Sequence, residues 1–130
     1  MTHTIPYIEL LMDMISIPAI SRDESLRADF LEKAISYVHE NISEDNLNIE
    51  VLSRHMYVSR RHLHRKIKVL TGSSPVDFIK IIRLRKAMEL IKDNKLTMAE
   101  VAYSVGFSNP SYFANTFKKL YGHPPSFFVK

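Results

Sequence analysis

The 130-residue chain contains no cysteine and no tryptophan, and it has only three glycines. The absence of cysteine excludes disulfide scaffolds, thiol nucleophiles and zinc fingers built on thiolates. It also fits a cytoplasmic location, where disulfides are rare. The most apolar stretch, 5–20, is interrupted by two prolines and two acidic residues. Since a membrane-spanning helix needs about 20 apolar residues and a signal peptide needs a basic segment that this stretch lacks, we expect no membrane contact.

Charge is divided unevenly along the chain. The net charge is +4, but residues 1–48 hold nine acidic and three basic side chains, whereas 49–130 hold fifteen basic and five acidic ones. A basic segment of this density is typical of proteins that bind a polyanion such as nucleic acid. A solvated basic surface that only aids solubility is the alternative, and charge alone leaves both open.

The local sequence predicts helices throughout. Glycine is scarce and no segment alternates as a strand would, whereas apolar residues spaced three and four apart predict an amphipathic helix over about 25–41. Capping residues, prolines at first helical positions and glycine stops mark the ends of further helices. These are predicted over about 49–56, 60–71, 75–93, 98–105 and 110–121, followed by a short turn from Pro124.

An internal repeat of about 50 residues is the most informative feature. Residues 59–78 resemble 108–128 at apolar, lysine, glycine and proline positions, and the segment upstream matches at an offset of 49. Each copy has the layout of a helix-turn-helix, a short helix, a tight turn and a second helix. Two copies are too few for a solenoid. The predicted fold class is therefore all-α, with two homeodomain-like helix-turn-helix subdomains joined by a long helix. The expected parts are an extension over 1–24, a first subdomain over 25–74, a linker helix over 75–93 and a second subdomain over 94–130.

The turn of the second copy contains Gly106, at a position where a positive φ is often needed. Tyr57 stands at the matching position of the first copy. A tyrosine there predicts either a turn strained by about 1 kcal/mol or a turn of different shape.

The second helix of each copy divides into an apolar and a polar face. One anchored face and one free face are what a helix needs to enter a major groove. By helical spacing, the inward residues are predicted to be Leu63, Ile67, Leu70, Phe113, Phe117 and Leu120, and the outward ones Arg61, His64, Arg65, Lys68, Ser111, Ala114, Asn115 and Lys118.

The outward side chains suit the edges of DNA bases. Arg61 and Arg65 can each make two hydrogen bonds to guanine, and Asn115 can do the same to adenine. Ala114 can contact a thymine methyl group, and the hydroxyl of Ser111 adapts to several bases.

Flanking residues are expected to hold the DNA backbone, because lysines and helix N-termini are the usual phosphate contacts. Tyr112 is expected mainly to pack beside Phe113, with a phosphate contact as the alternative. The predicted phosphate-contacting residues are Ser59, Arg60, Lys68, Asn109, Lys118 and Lys119.

These residues resemble a known family. The second copy, which runs from Glu100 through Gly106-Phe107-Ser108-Asn109-Pro110 and Phe117-Lys118-Lys119 to Pro124-Pro125, is similar to the signature of AraC/XylS-type transcription regulators. The first copy and the link through Arg83-Leu84, Ala87 and Leu90-Ile91 follow the same pattern, so that the resemblance covers about 26–130. It implies two helix-turn-helix subdomains that bind adjacent major grooves on one side of double-stranded DNA. The family's base-contacting positions fall on Arg61, His64, Arg65, Pro110, Ser111, Ala114 and Asn115.

The resemblance also bears on partners. The family often has arginine where Asn115 stands, which leaves the base preference at that position open. The stretch 60–68 is most similar to the C-terminal module of hybrid two-component regulators. This implies an upstream sensor or receiver domain, a bacterial cytoplasmic location and RNA polymerase as a further candidate partner.

No motif of another chemistry is found. The six histidines show no HExxH or i, i+4 pairing, and serine-nucleophile, phosphate-loop and dinucleotide motifs are absent. We therefore predict no catalytic residue, no metal site and no cofactor. The alternative function is a protein-interaction module on the same scaffold with weak or no DNA binding; the basic outward face of 61–68 favours DNA.

The first 24 residues carry apolar side chains at helical spacing. Three interpretations stay open: a helix packed back on the domain, the end of a linker from an upstream domain, or a dimer contact.

Overall fold

The computed structural model describes residues 22–44 and 46–129, and within the first helix it describes side chains from residue 28 onward. The predicted extension over 1–24 lies almost entirely outside these residues. The described part is all-helical, which confirms the predicted fold class. Its elements are α1 Arg22–Glu40, α2 Ile49–His55, α3 Arg60–Thr71, α4 Pro75–Asp93, α5 Met98–Ser104, α6 Pro110–Tyr121 and a 3₁₀ helix Pro125–Phe128.

Side-chain caps determine where five of these helices begin. Asn48 accepts a hydrogen bond from the Val51 N–H at 2.9 Å and starts α2. Thr97 and Glu100 cap α5 reciprocally, since each side chain accepts from the other's backbone N–H, at 3.1 and 2.8 Å. Because a cap satisfies N–H groups that have no partner within the helix, these starts follow from the local sequence. Ser59, Ser74 and Asn109 cap α3, α4 and α6 in the same way.

The described residues divide into two compact units. The first consists of 22–37 with Asn48–Phe78, and the second of Val38–Leu47 with 79–129. Both α1 and α4 therefore contribute to each unit. The boundaries expected from the sequence, at 25–74, 75–93 and 94–130, remain predictions.

The first unit buries one face of each of its helices. Leu63 and Ile67 of α3 have no exposed surface. Two ring contacts reach from α1 to the helix-turn-helix: the Lys66 ammonium lies 4.4 Å from the Phe30 ring centroid, and the Tyr37 and His55 rings stack at 3.9 Å. Other buried apolar residues of this unit are Leu31, Ala34, Ile35, Leu52, Leu70 and Phe78.

The second unit has an aromatic core. Phe113 and Phe117 of α6 are buried, and Phe113 meets the turn residue Phe107 edge to face at 5.3 Å between ring centroids. Edge-to-face pairs add to the stability that burial alone provides. The core is completed by Leu84, Ala87, Ile91, Val101, Ala102 and Val105.

The prediction that Leu120 points inward is wrong. Its side chain is 38% exposed, whereas Leu70, its counterpart in the first copy, is buried. The ring of Tyr121 packs on Phe117 at 4.6 Å and on the 3₁₀ helix, and so covers the end of the core instead. Thr116 is also buried, with its hydroxyl donating to a backbone carbonyl at 2.7 Å.

Candidate nucleic-acid interface

The two helix-turn-helix turns have the same backbone. Tyr57 has a φ of 58° and Gly106 a φ of 91°, both left-handed. After each of them the chain is held by a matching hydrogen bond, from Val58 N–H to the Ser53 carbonyl at 3.1 Å and from Phe107 N–H to the Ala102 carbonyl at 2.9 Å. Of the two alternatives for Tyr57, the strained turn is therefore the one observed.

The surroundings of the two turns differ. Tyr57 is 95% exposed. At Gly106 a Cβ atom would lie 2.8 Å from the guanidinium of Arg83 and would also clash with the carbonyl oxygen of Ile42. Arg83 is itself held by a hydrogen bond of 3.1 Å to the Glu44 carbonyl. Close packing thus requires glycine in the second turn, whereas the first turn accommodates a large side chain.

The exposed face of α3 carries the predicted cationic residues. Leu63 and Ile67 are buried on one side of α3. The side chains on the opposite side of the helix therefore face solvent. All the predicted site residues of this helix are exposed, as are His62, Lys66 and Val69, and the helix contains no acidic residue; the site residues are Arg60, Arg61, His64, Arg65 and Lys68.

An open groove of about 470 Å³ runs beside the start of α3. Arg60, Arg61 and His64 line it together with three apolar residues and Ser74, which caps α4. Arg65 and Lys68 are not part of its lining. The groove places two arginines and a histidine beside an apolar patch. The apolar residues are Ile49, Pro75 and Val76.

The exposed face of α6 is small and polar. Ser111, Asn115, Lys118 and Lys119 are exposed, while Pro110 and Ala114 are partly buried. This helix also lacks acidic residues.

Two predicted phosphate contacts act as caps. The side chain of Ser59 accepts from the His62 N–H at 3.1 Å, and that of Asn109 accepts from the Tyr112 N–H at 3.0 Å. Besides the capped N–H, the first turn of α3 presents the N–H groups of Arg60 and Arg61, whereas that of α6 presents only the N–H of Ser111, because Pro110 has none.

One contact was missed by the sequence reasoning. Tyr112 is 52% exposed, and its ring packs on that of the core residue Phe107 at 6.0 Å between centroids. The Lys80 ammonium lies 5.9 Å from its ring centroid. A hydrogen bond from Lys80, and next the positive charge of Lys80, lower the pKa of the Tyr112 hydroxyl below its usual value. No sequence signal links these residues, because they are on different helices.

Among the described residues no cluster of three or more histidine, aspartate or glutamate side chains is arranged to hold a metal ion. None of the described helices is both long enough and apolar enough to cross a membrane.

Known proteins are similar to this chain in sequence. A family model described as a helix-turn-helix domain matches residues 52–130. "Histidine kinase P4" of Formosa agariphila is 35% identical over 102 residues, which cover 78% of this chain and 7% of that protein. The curated relatives that the chain matches are longer proteins, of which it covers 7% to 29%.

Two solved structures are similar over most of the chain. A transcriptional regulator from Chromobacterium violaceum, described as having an AraC-type DNA-binding domain, has a TM-score of 0.72 at 26% identity, over 77% of this chain and 88% of that one. The DNA-binding domain of AdpA, a global transcriptional factor, solved with a target DNA, has a TM-score of 0.65 at 26% identity, over 78% and 87% of the two chains. With its paired turns and the match over 52–130, the chain belongs to the AraC-type helix-turn-helix family of DNA-binding transcription regulators.

Proposed function

We propose that this chain is the sequence-specific DNA-binding module of a transcription regulator and that it inserts α3 and α6 into adjacent major grooves of double-stranded DNA. The observation that carries the proposal is the repeated turn, which presents in each copy a second helix buried on one side and polar on the other. The major groove of B-form DNA admits an α-helix.

Base recognition is assigned to the exposed faces of the two helices. On α3 the guanidinium groups of Arg61 and Arg65 each make two hydrogen bonds to guanine, and His64 lies between these residues in the sequence. On α6 the amide of Asn115 pairs with adenine. Pro110, Ser111 and Ala114 fit against the remaining base edges by size, so the site is expected to be asymmetric.

The backbone contacts surround these faces. Arg60 lines the groove beside α3, and Lys68, Lys118 and Lys119 are exposed near the helix ends. Beside the caps Ser59 and Asn109, the first turn of α3 offers the N–H groups of Arg60 and Arg61 to phosphate, and that of α6 offers the N–H of Ser111, because Pro110 has none. Contacts of this kind set the register but carry no sequence information.

The regulator as a whole is proposed to include an upstream sensor or receiver domain, as in a hybrid two-component system. The support is the small share of longer relatives that this chain covers, among them a protein named as a histidine kinase. RNA polymerase is a further candidate partner, and a cytoplasmic location follows from the proposed function.

Selection of binding sites from random duplex DNA tests the proposal. The expected result is two different half-motifs about 10 bp apart, one of which changes in an Arg65→Ala variant. A single half-motif would mean that α6 only positions the protein. No enrichment at low salt would contradict DNA binding by this chain and favour a protein partner.

A further inference from the structure

In the second unit, Lys80 and Tyr112 come together beside the exposed face of α6, and Lys119 follows on the same side of that helix. Lys80 extends from α4, and its ammonium lies 5.9 Å from the centroid of the Tyr112 ring. Tyr112 and Lys119 are seven residues apart on α6, so two helical turns place them on one side of the helix. This side lies next to the one that carries Ser111 and Asn115.

The hydroxyl of Tyr112 is in a positive environment. The ring is half-exposed although its neighbour Phe113 is fully buried, so the hydroxyl reaches the surface. A hydrogen bond from Lys80, then the charge of Lys80 and a hydrogen bond with Thr116 lower its pKa, and the charge of Lys119 contributes least. Below that pKa the phenol keeps its proton.

This chemistry is suited to an oxyanion. A phenol whose oxygen accepts from an ammonium group retains its own O–H as a donor. The positive charges of Lys80 and Lys119 favour an anion at this position. A phosphodiester presents acceptor oxygens with one negative charge.

We propose that Lys80, Tyr112 and Lys119 form a clamp for a single backbone phosphate on the strand beside α6, in which the Tyr112 hydroxyl donates to a non-bridging oxygen. The clamp rests on the proposed function, and it adds Lys80 and Tyr112 to the DNA interface. Lys80 lies on α4, outside both helix-turn-helix motifs, and so belongs to neither recognition helix. Its role is to hold the tyrosine hydroxyl in place and to attract the phosphate.

Two substitutions and two matched controls test the clamp. The DNA used is the site obtained by selection from random duplexes. Tyr112→Phe removes only the hydroxyl, and Lys80→Gln removes the charge. Tyr103→Phe is the tyrosine control, because Tyr103 is 54% exposed on α5, and Lys92→Gln is the lysine control on α4. Dissociation constants are measured against salt concentration, and thermal unfolding confirms that each variant folds.

We expect Tyr112→Phe to raise the dissociation constant about fivefold, the value of a hydrogen bond, for the selected site and for unrelated duplexes alike. Lys80→Gln is expected to raise it similarly and to reduce the salt slope by less than about 0.9, because Lys119 still neutralises part of the charge of the same phosphate. The double variant is expected to lose less than the product of the single effects, since both residues act on one phosphate. Both controls are expected to bind like the unaltered chain.

Neutral methylphosphonates, placed one at a time in the half-site read by α6, identify the phosphate itself. At one position the replacement is expected to weaken the unaltered chain and to have no added effect on Tyr112→Phe. If the chain binds its site but Tyr112→Phe binds equally well, or loses affinity only for particular base sequences, the clamp is overturned and the proposed function stands. If the unaltered chain binds no duplex, the proposed function fails and the clamp fails with it.

Discussion

Tyr57 and Gly106 occupy the same left-handed backbone position in two copies of one turn, with φ values of 58° and 91°. One residue is a large aromatic with a nearly fully exposed side chain, and the other has no side chain at all. The hydrogen bonds on either side of them match within 0.2 Å. The shape of the turn is therefore set by the helices and the buried residues that flank it, and a tyrosine is held in a conformation that costs about 1–2 kcal/mol.

Relief of this strain is the first prediction. Tyr57→Gly is expected to raise the free energy of unfolding by up to about 1 kcal/mol, because it removes the left-handed penalty and loses few contacts from an exposed side chain. Thermal or urea unfolding measures the change. Gly106→Ala is the matched comparison and is expected to destabilise the chain, since its Cβ would clash with Ile42 and Arg83; equal effects of the two substitutions would contradict this account.

Stability is expected to fall in mild acid because of His39. Burial, then the charge of Lys86, lower the pKa of its imidazole below 6.5, and Glu89 opposes them only in part. The unfolded chain therefore takes up this proton at a higher pH than the folded one. The contribution of neutral His39 to the stability of the folded chain is complete above pH 6.5. It is lost as the pH falls from there through the pKa of His39 in the folded state. Melting temperatures measured at several pH values between about 7.5 and 5.5 are expected to fall less in His39→Gln; equal slopes would exclude His39 as the source.

Arg65→Ala is expected to weaken binding to the selected DNA site by about 1–3 kcal/mol and to relax the preference at one base pair. The reason is the loss of a bidentate contact to a base edge from the exposed face of α3. Repeated site selection with the variant measures both effects. Arg54→Ala is a suitable control, since Arg54 is an exposed arginine on α2 that pairs with Glu50 at 3.4 Å; an unchanged motif in Arg65→Ala would remove this residue from the base-reading set.

Lys119→Ala is expected to act differently from Arg65→Ala. Loss of a phosphate-contacting lysine weakens binding to every duplex alike and lowers the salt slope by up to about 0.9. Salt titrations with the selected site and with an unrelated duplex measure both quantities, with Lys95→Ala as the exposed-lysine control. A loss confined to one sequence would assign Lys119 to a base instead.

The sequence was sufficient to predict those structural features that depend on residues close together in the chain. Ser59, Thr97 and Asn109 cap their helices by contacts that span three residues, and the spacing of Leu63 and Ile67 is enough to identify the buried face of α3. These features repeat in both copies, which is why the all-helical architecture could be predicted.

Sequence reasoning failed where distant residues decide the outcome. Leu120 has the spacing of a core residue, but the rings of Tyr121 and Phe128 cover the end of that core instead. The contact of Lys80 with Tyr112 depends on how α4 passes α6, which no local pattern encodes. At Tyr57 the strain is small against the total of the surrounding interactions, so the residue type alone could not decide between two turns.

The exposure of Tyr57 also has a practical use. The chain has no cysteine, so Tyr57→Cys would create a single thiol, on a side chain that points into solvent one turn before the first recognition helix. A spin label or fluorophore attached there would replace a residue that the turn already accepts in the left-handed conformation. The label would report the approach of DNA to α3, and the second copy of the motif would carry no label.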